Sequence, residues 1–162
     1  MPLPLSQNKV HAHDVDDHIT LSYEHRFLRR KVMTSDGGTR FLVDFPSTIS
    51  LDRGDAFVLE DGRKVGVCPA DEALLEVTGA HLLRLAWHIG NRHMPCQIED
   101  GRLLIQNDHV IRDMLQKLGA TLRDVVEPFT PEGGAYGHGR THSHSHGDAH
   151  SHSHDHTHSH AH

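Results

Sequence analysis

Two cysteines in 162 residues, Cys68 and Cys96, stand far apart and make no Cys-x-x-Cys pair, which argues against both a disulfide framework and a thiolate zinc site. They read as small, half-buried side chains. No segment approaches the ~18 apolar residues of a membrane span. Residues 1–10 lack a basic region followed by an apolar run, so the default expectation is a cytoplasmic protein without a membrane partner. Phosphate loop, nucleophile elbow, paired catalytic carboxylates and a His-Glu-x-x-His run are also missing. Their absence points away from an enzyme, and from a metallohydrolase in particular. Basic residues are outnumbered, 16 Lys and Arg against 22 Asp and Glu, for a net charge of −6. Residues 138–162 carry Arg140 against Asp148 and Asp155, a charge of −1, which leaves −5 on the body. An acidic body argues against nucleic acid as a partner.

Histidine is what the chain has in excess. Of its 19 histidines eleven lie in the last 25 residues, and from His150 to His162 they occupy every second position. The spacers are Ser151, Ser153, Asp155, Thr157, Ser159 and Ala161. Alternation with varied spacers reads as a native segment rather than an expression tag. Neutral imidazole offers a lone pair to divalent ions, so His142, His144, His146, His150, His152, His154, His156, His158, His160 and His162 are candidate metal ligands. With no periodic apolar face the segment has nothing to bury, and the expectation is a tail disordered until metal organises it. Imidazole suits nickel, zinc, copper and iron alike, so the composition does not choose among them. Because histidine titrates near pH 6.5, most of this capacity is expected to disappear on mild acidification.

Without that tail about 137 residues remain, which suits two small domains. Between Ile19 and Val67 short apolar or alternating runs are punctuated by Asp36-Gly37-Gly38, Arg53-Gly54-Asp55 and Asp61-Gly62. That pattern predicts a β-rich unit with strands at 19–23, 31–34, 40–44, 56–60 and 64–67. The basic cluster Arg26, Arg29, Arg30 and Lys31 reads either as a solvated face, the commoner case, or as a partner-binding patch. Beyond Pro69 the order changes to strand 74–78, helix 80–89, strands 95–99 and 102–106, helix 108–118 and strand 121–127. This is the ferredoxin-like split βαβ order. The predicted fold class is therefore α+β: a β-rich domain over 1–70, a ferredoxin-like βαββαβ metal-binding domain over 71–132, and a Gly- and His-rich tail over 133–162.

In the first helix Leu82, Leu85, Ala86 and Ile89 recur at helical spacing and predict a core face, with His81, Arg84 and His88 on another side. Gly90 and Asn91 are expected to stop it. In the second, Asn107 or Asp108 is the cap, and Val110, Ile111, Met114, Leu115 and Leu118 form the expected buried stripe. Seven of the body's eight histidines fall in four groups. His93 leaves the first helix just before Met94-Pro95, where proline makes its neighbour extended. A single loop histidine is ordinarily just a polar surface residue, but a twofold dimer would pair two copies on its axis. His109 opens the second helix, where the macrodipole favours the neutral imidazole. His81 and His88 are seven residues apart, too far to chelate one ion, since neighbours on a helix are three or four apart. His11, His13 and His18, with Asp14, Asp16 and Asp17, read equally as an accessory low-affinity cluster or as a disordered solvated arm.

The run Trp87-His-Ile-Gly-Asn-Arg-His-Met-Pro-Cys96, followed by Asp108-His-Val-Ile-Arg-Asp-Met-Leu115, resembles the urease accessory nickel metallochaperones of the UreE family. The likeness extends upstream through Thr34-Ser-Asp-Gly-Gly-Thr-Arg-Phe-Leu-Val-Asp-Phe-Pro46 and Val58-Leu-Glu-Asp-Gly-Arg63. It implies a β-rich N-terminal domain of peptide-binding type, a ferredoxin-like metal domain, and a homodimer in which His93 gives one nickel ligand per protomer at the interface. His109 and the tail histidines would complete coordination or buffer further ions, with Zn(II) or Cu(II) as other possible cargo. The implied partners are the urease apoprotein complex and the accessory GTPase. Some members carry a second histidine two residues before the Asp-His-Val histidine, where this chain has Asn107. That puts His93 with tail imidazoles forward as the expected Ni(II) site. The alternative class is a general metal storage or buffering protein in which the tail is the whole function; a protein interaction module is compatible with either.

Overall fold

The computed structural model describes residues 2–133. The candidate ligands His142, His144, His146, His150, His152, His154, His156, His158, His160 and His162 lie outside the described residues. The described chain is a strand-rich α+β protein with two sheets and two α-helices.

Strands β1 (Leu5–His11), β2 (Asp17–Leu21), β3 (Phe27–Thr34), β4 (Arg40–Ser50), β5 (Asp55–Leu59) and β6 (Lys64–Pro69) form a six-stranded sheet in the order β2-β6-β5-β1-β4-β3. Gly38 and Gly62, at φ 92° and 90°, take the left-handed conformation that reverses the β3–β4 and β5–β6 hairpins. Phe41, Phe45 and Phe57 are almost fully buried at the centre of this unit's core. Phe57 lies 5.3 Å from Phe41 and 6.0 Å from Phe45 between ring centroids.

The strand without a counterpart in the sequence reading is β1. Its residues, Leu-Ser-Gln-Asn-Lys-Val-His, carry too few apolar side chains to show a period of two. Yet it lies between β5 and β4 in the sheet, with Ser6 fully buried and its register slipped between Ser6 and Asn8. Backbone pairing, rather than side-chain burial, places it there. Neither open reading of the His11–His18 segment foresaw a strand: His11 ends β1 and His18 lies in β2.

Strand β7 (Asp71–Thr78), helix α1 (Leu82–Asn91), strands β8 (Gln97–Ile98) and β9 (Leu103–Gln106), helix α2 (His109–Lys117) and strand β10 (Thr121–Pro128) follow. Their sheet runs β10-β7-β9-β8, every neighbouring pair antiparallel, in the strand-helix-strand-strand-helix-strand order of the split βαβ motif. Alternation along the strands gives each face its own task. Leu75, Val77, Leu103 and Ile105 meet Leu85 and Ile89 of α1 and Ile111 and Leu115 of α2. Leu74 and Leu104 face the other way and close over Phe129, with Tyr23 of the first unit packed against them.

That second contact joins the two sheets. The Tyr23 and Phe129 rings stand edge to face at 5.3 Å, and the Tyr23 amide donates to the Glu72 carboxylate at 2.9 Å. Arg26, in a 3-10 turn at Glu24–Arg26, donates its guanidinium to the Phe129 carbonyl. Its place departs from the solvated or partner-binding readings of the basic cluster. Arg29, Arg30 and Lys31 are exposed on β3, whereas Arg26 is 2% exposed.

Two further expectations shift. Helix α1 reaches Asn91, past Gly90, because its stop lies in the turn that follows. Val110 and Leu118, expected in the buried stripe of α2, are 51% and 40% exposed. Residues 111 and 115 already fill the sheet contact, and Val110 is turned about 100° away from Ile111 around the helix. Because Phe129 is fully buried where the two sheets meet, Phe129→Ala is expected to lower the unfolding free energy by about 3–5 kcal/mol in urea denaturation. A loss below about 1 kcal/mol would mean that the seam contributes little.

Candidate metal centre

Helix α1 ends in a Schellman closure. Arg92 is the C-cap, the His93 amide donates to the Gly90 carbonyl at 3.0 Å, and the Met94 amide donates back to Ile89 at 3.4 Å. Met94 packs into the cluster that contains Ile89, the apolar clasp this motif usually carries. Pro95 keeps Met94 from continuing the helix. The residue at the left-handed position of such a closure is ordinarily glycine, yet here it is His93, at φ 57°. Among the described residues it is the one non-glycine with positive φ. A side chain in that conformation costs about 1 kcal/mol relative to glycine. His93 is exposed, so nothing it buries offsets this cost, and such strain collects at functional positions.

The same helix presents Leu83 and Trp87, 90% and 63% exposed. Four residues apart, they share one face. This third face lies beside the predicted core and histidine faces of α1, and leucine and tryptophan at that spacing are its signal in the sequence. Leu83 and Trp87 thus leave an apolar strip of α1 open to solvent on the helix that the His93 turn closes.

The other candidates lie apart. His109 is the exposed first residue of α2. Asp108 caps that helix, its Oδ1 accepting from Val110 and Ile111 at 2.9 and 3.0 Å, so this oxygen is engaged with backbone amides. His81 sits at the N-cap of α1 without a capping hydrogen bond, and the His88 ring stands edge-on to Trp87 at 5.0 Å. The rings of His11 and His13 are 5.4 Å apart, and His11 Nδ1 is 3.7 Å from Asp55. Burial, followed by the charge of Glu132, pushes the Cys96 thiol up to about 11, so at neutral pH it is not the thiolate that metals prefer. Among the described residues no three His, Cys, Asp or Glu side chains converge on a point that would hold a metal. The described residues therefore offer His93 as an isolated, exposed imidazole on a backbone fixed by the helix closure.

Two family models divide the chain between them: the N-terminal domain of the UreE urease accessory protein matches residues 4–70, and its C-terminal domain matches residues 72–162. The class so defined is an accessory protein of urease maturation, not an enzyme. The urease accessory protein UreE of Ruegeria pomeroyi is 67% identical over 132 residues, 82% of this chain and 89% of that protein. The protein of the same name from Rhodobacter capsulatus is 58% identical over 125 residues, 77% of this chain and 80% of that protein. Urease accessory protein UreE 1 of Brucella suis is 47% identical over 138 residues, 80% of this chain and 85% of that protein. The chain belongs to the UreE family.

If the left-handed turn is strained by its side chain, His93→Gly should raise the urea unfolding free energy by about 1 kcal/mol. A decrease would show that the imidazole is held in place by favourable contacts instead.

Proposed function

We propose that this protein is a nickel metallochaperone. It carries Ni(II) to the urease apoprotein complex together with the accessory GTPase, as a cytoplasmic homodimer whose twofold axis brings the two His93 imidazoles onto one ion. The observation that carries this reading is His93 itself: exposed, in the left-handed conformation, at the end of a helix whose Leu83 and Trp87 are open to solvent. Pairing that apolar face across a twofold axis would convert one monodentate ligand per chain into a symmetric pair.

Two neutral imidazoles hold a divalent ion loosely, which suits a cargo that must be released. Nitrogen and oxygen donors suit nickel, and also zinc or copper. Residues 71–132 serve as the metal-binding domain in this reading, and residues 1–70 as the domain that meets partner polypeptides. His109 and the histidine-rich end over 133–162 complete the coordination or hold further ions. A general metal buffer is the weaker reading, because buffering by the histidine-rich end has no use for a strained histidine or an open apolar helix face.

Nickel titration of the full chain by calorimetry, with the oligomeric state followed by sedimentation, tests the proposal. The expected result is a tighter phase at about one ion per two chains, lost in His93→Ala, above a weaker multi-ion phase that both proteins retain. An unchanged tighter phase in His93→Ala would remove His93 from the site.

A further inference from the structure

Between the two sheets lies a cavity of about 520 Å³ lined by residues of both units. Leu51, Ala86, Met94 and Ile98 give it apolar walls, and Arg26 is its buried charge. The Arg26 backbone is fixed on both sides, its amide donating to Ser22 and its carbonyl accepting from Leu51. The guanidinium lies 5.7 Å from the centre of the Tyr23 ring and donates to the Phe129 carbonyl. Its Nε is buried and has no hydrogen-bond partner among the described residues, and no carboxylate there forms an ion pair with it. Burial accordingly lowers the proton affinity of the group, while Glu72 and Asp52 oppose this from a distance.

A buried cation with an unused donor is costly unless an anion meets it. A guanidinium held rigid at an apolar cavity is the arrangement that recognises a carboxylate on an apolar body. Asp52, Arg53 and Glu132 also line the cavity, and all three are exposed. The two rim carboxylates disfavour a doubly charged anion, which makes a monoanion the better match.

We propose that the cavity between the two sheets binds a monocarboxylate, whose oxygens take the donors of the buried Arg26 while its apolar part rests on Leu51, Ala86, Met94 and Ile98. His93 and Met94 belong to the same lining, so the occupied cavity reports on the loop that carries the exposed imidazole. The proposal shares the His93 lining with the nickel reading, but it rests on Arg26 and is tested without metal.

The test uses the full chain without metal. The Arg26 Nε–H resonance, assigned through its contacts with the Tyr23 ring, is followed during titration with propionate, with acetyl-Ala-Glu-Ala-amide, and with chloride and sulfate at matched ionic strength. The expected result is a saturable shift with a carboxylate that neither chloride nor sulfate reproduces. The tighter of the two carboxylates then identifies the source as a small acid or as an acidic side chain of a polypeptide. Arg26→Lys keeps the charge but removes Nε and the planar fork, and should weaken binding on the order of 10-fold or more. Ala86→Leu leaves Arg26 in place and narrows the cavity, and should exclude the ligand if Arg26→Lys fails to fold. An Arg26 resonance that does not move, or that moves equally with chloride, would overturn the proposal.

Discussion

The turn that closes α1 is the constraint on which the candidate site depends. Two backbone hydrogen bonds, from His93 to Gly90 and from Met94 to Ile89, end the helix within three residues. Met94 is drawn into the core beside Ile89, so position 93 has little freedom left and its side chain is directed outward. The same closure sets the path from α1 through Pro95 to β8, the short edge of the four-stranded sheet. A histidine at this point gains rigidity from a conformation that glycine would adopt at lower cost. That conformation sets the direction in which the His93 side chain leaves the backbone.

A second constraint holds the two units together. Strands β7 and β9 serve two cores at once because their side chains alternate. One set lies under the helices, and the other, Leu74 and Leu104, lies against Phe129 and Tyr23. Phe129 follows β10 directly, so the last strand also supplies the aromatic ring and the backbone carbonyl that tie it to the 3-10 turn of the first unit. Beyond this contact an ion-pair network covers the sheet, where Arg102 meets Glu76, Glu99 and Glu127 within 2.7–3.1 Å. Hydrogen bonding to Arg102 holds the Glu76 and Glu127 carboxyls below their ordinary range. Both constraints meet at the cavity, where residues of the α1 closure and of the first unit share one lining.

Much of this was legible in the sequence where local chemistry and burial agreed. Gly38 and Gly62 lie in the hairpins their motifs predict, Asp108 is the cap of the two candidates Asn107 and Asp108, and Leu85, Ile89, Ile111 and Leu115 are core as predicted. The departures at β1, Arg26 and Val110 share one cause, in that the deciding partners are distant in sequence. Polar β1 is placed by backbone pairing with β4 and β5. Arg26 looks like its exposed neighbours Arg29 and Arg30 until Phe129 covers it. Val110 fits a helical stripe by spacing but finds the sheet contact already filled. His93 was legible as a surface histidine after a helix, but its left-handed backbone was not, because no glycine announced it.

Family membership places the chain in urease maturation, and the proposed carrier role rests on an exposed imidazole on a fixed backbone, on the helix that also leaves Leu83 and Trp87 open. The measurement closest to that claim is backbone amide NMR of the full chain with nickel added well below one ion per two chains. Nickel carried between two copies of His93 predicts that the amides of residues 90–94 broaden or shift at the first additions. First changes confined to residues 134–162 would contradict it and would place the cargo on the histidine-rich end alone.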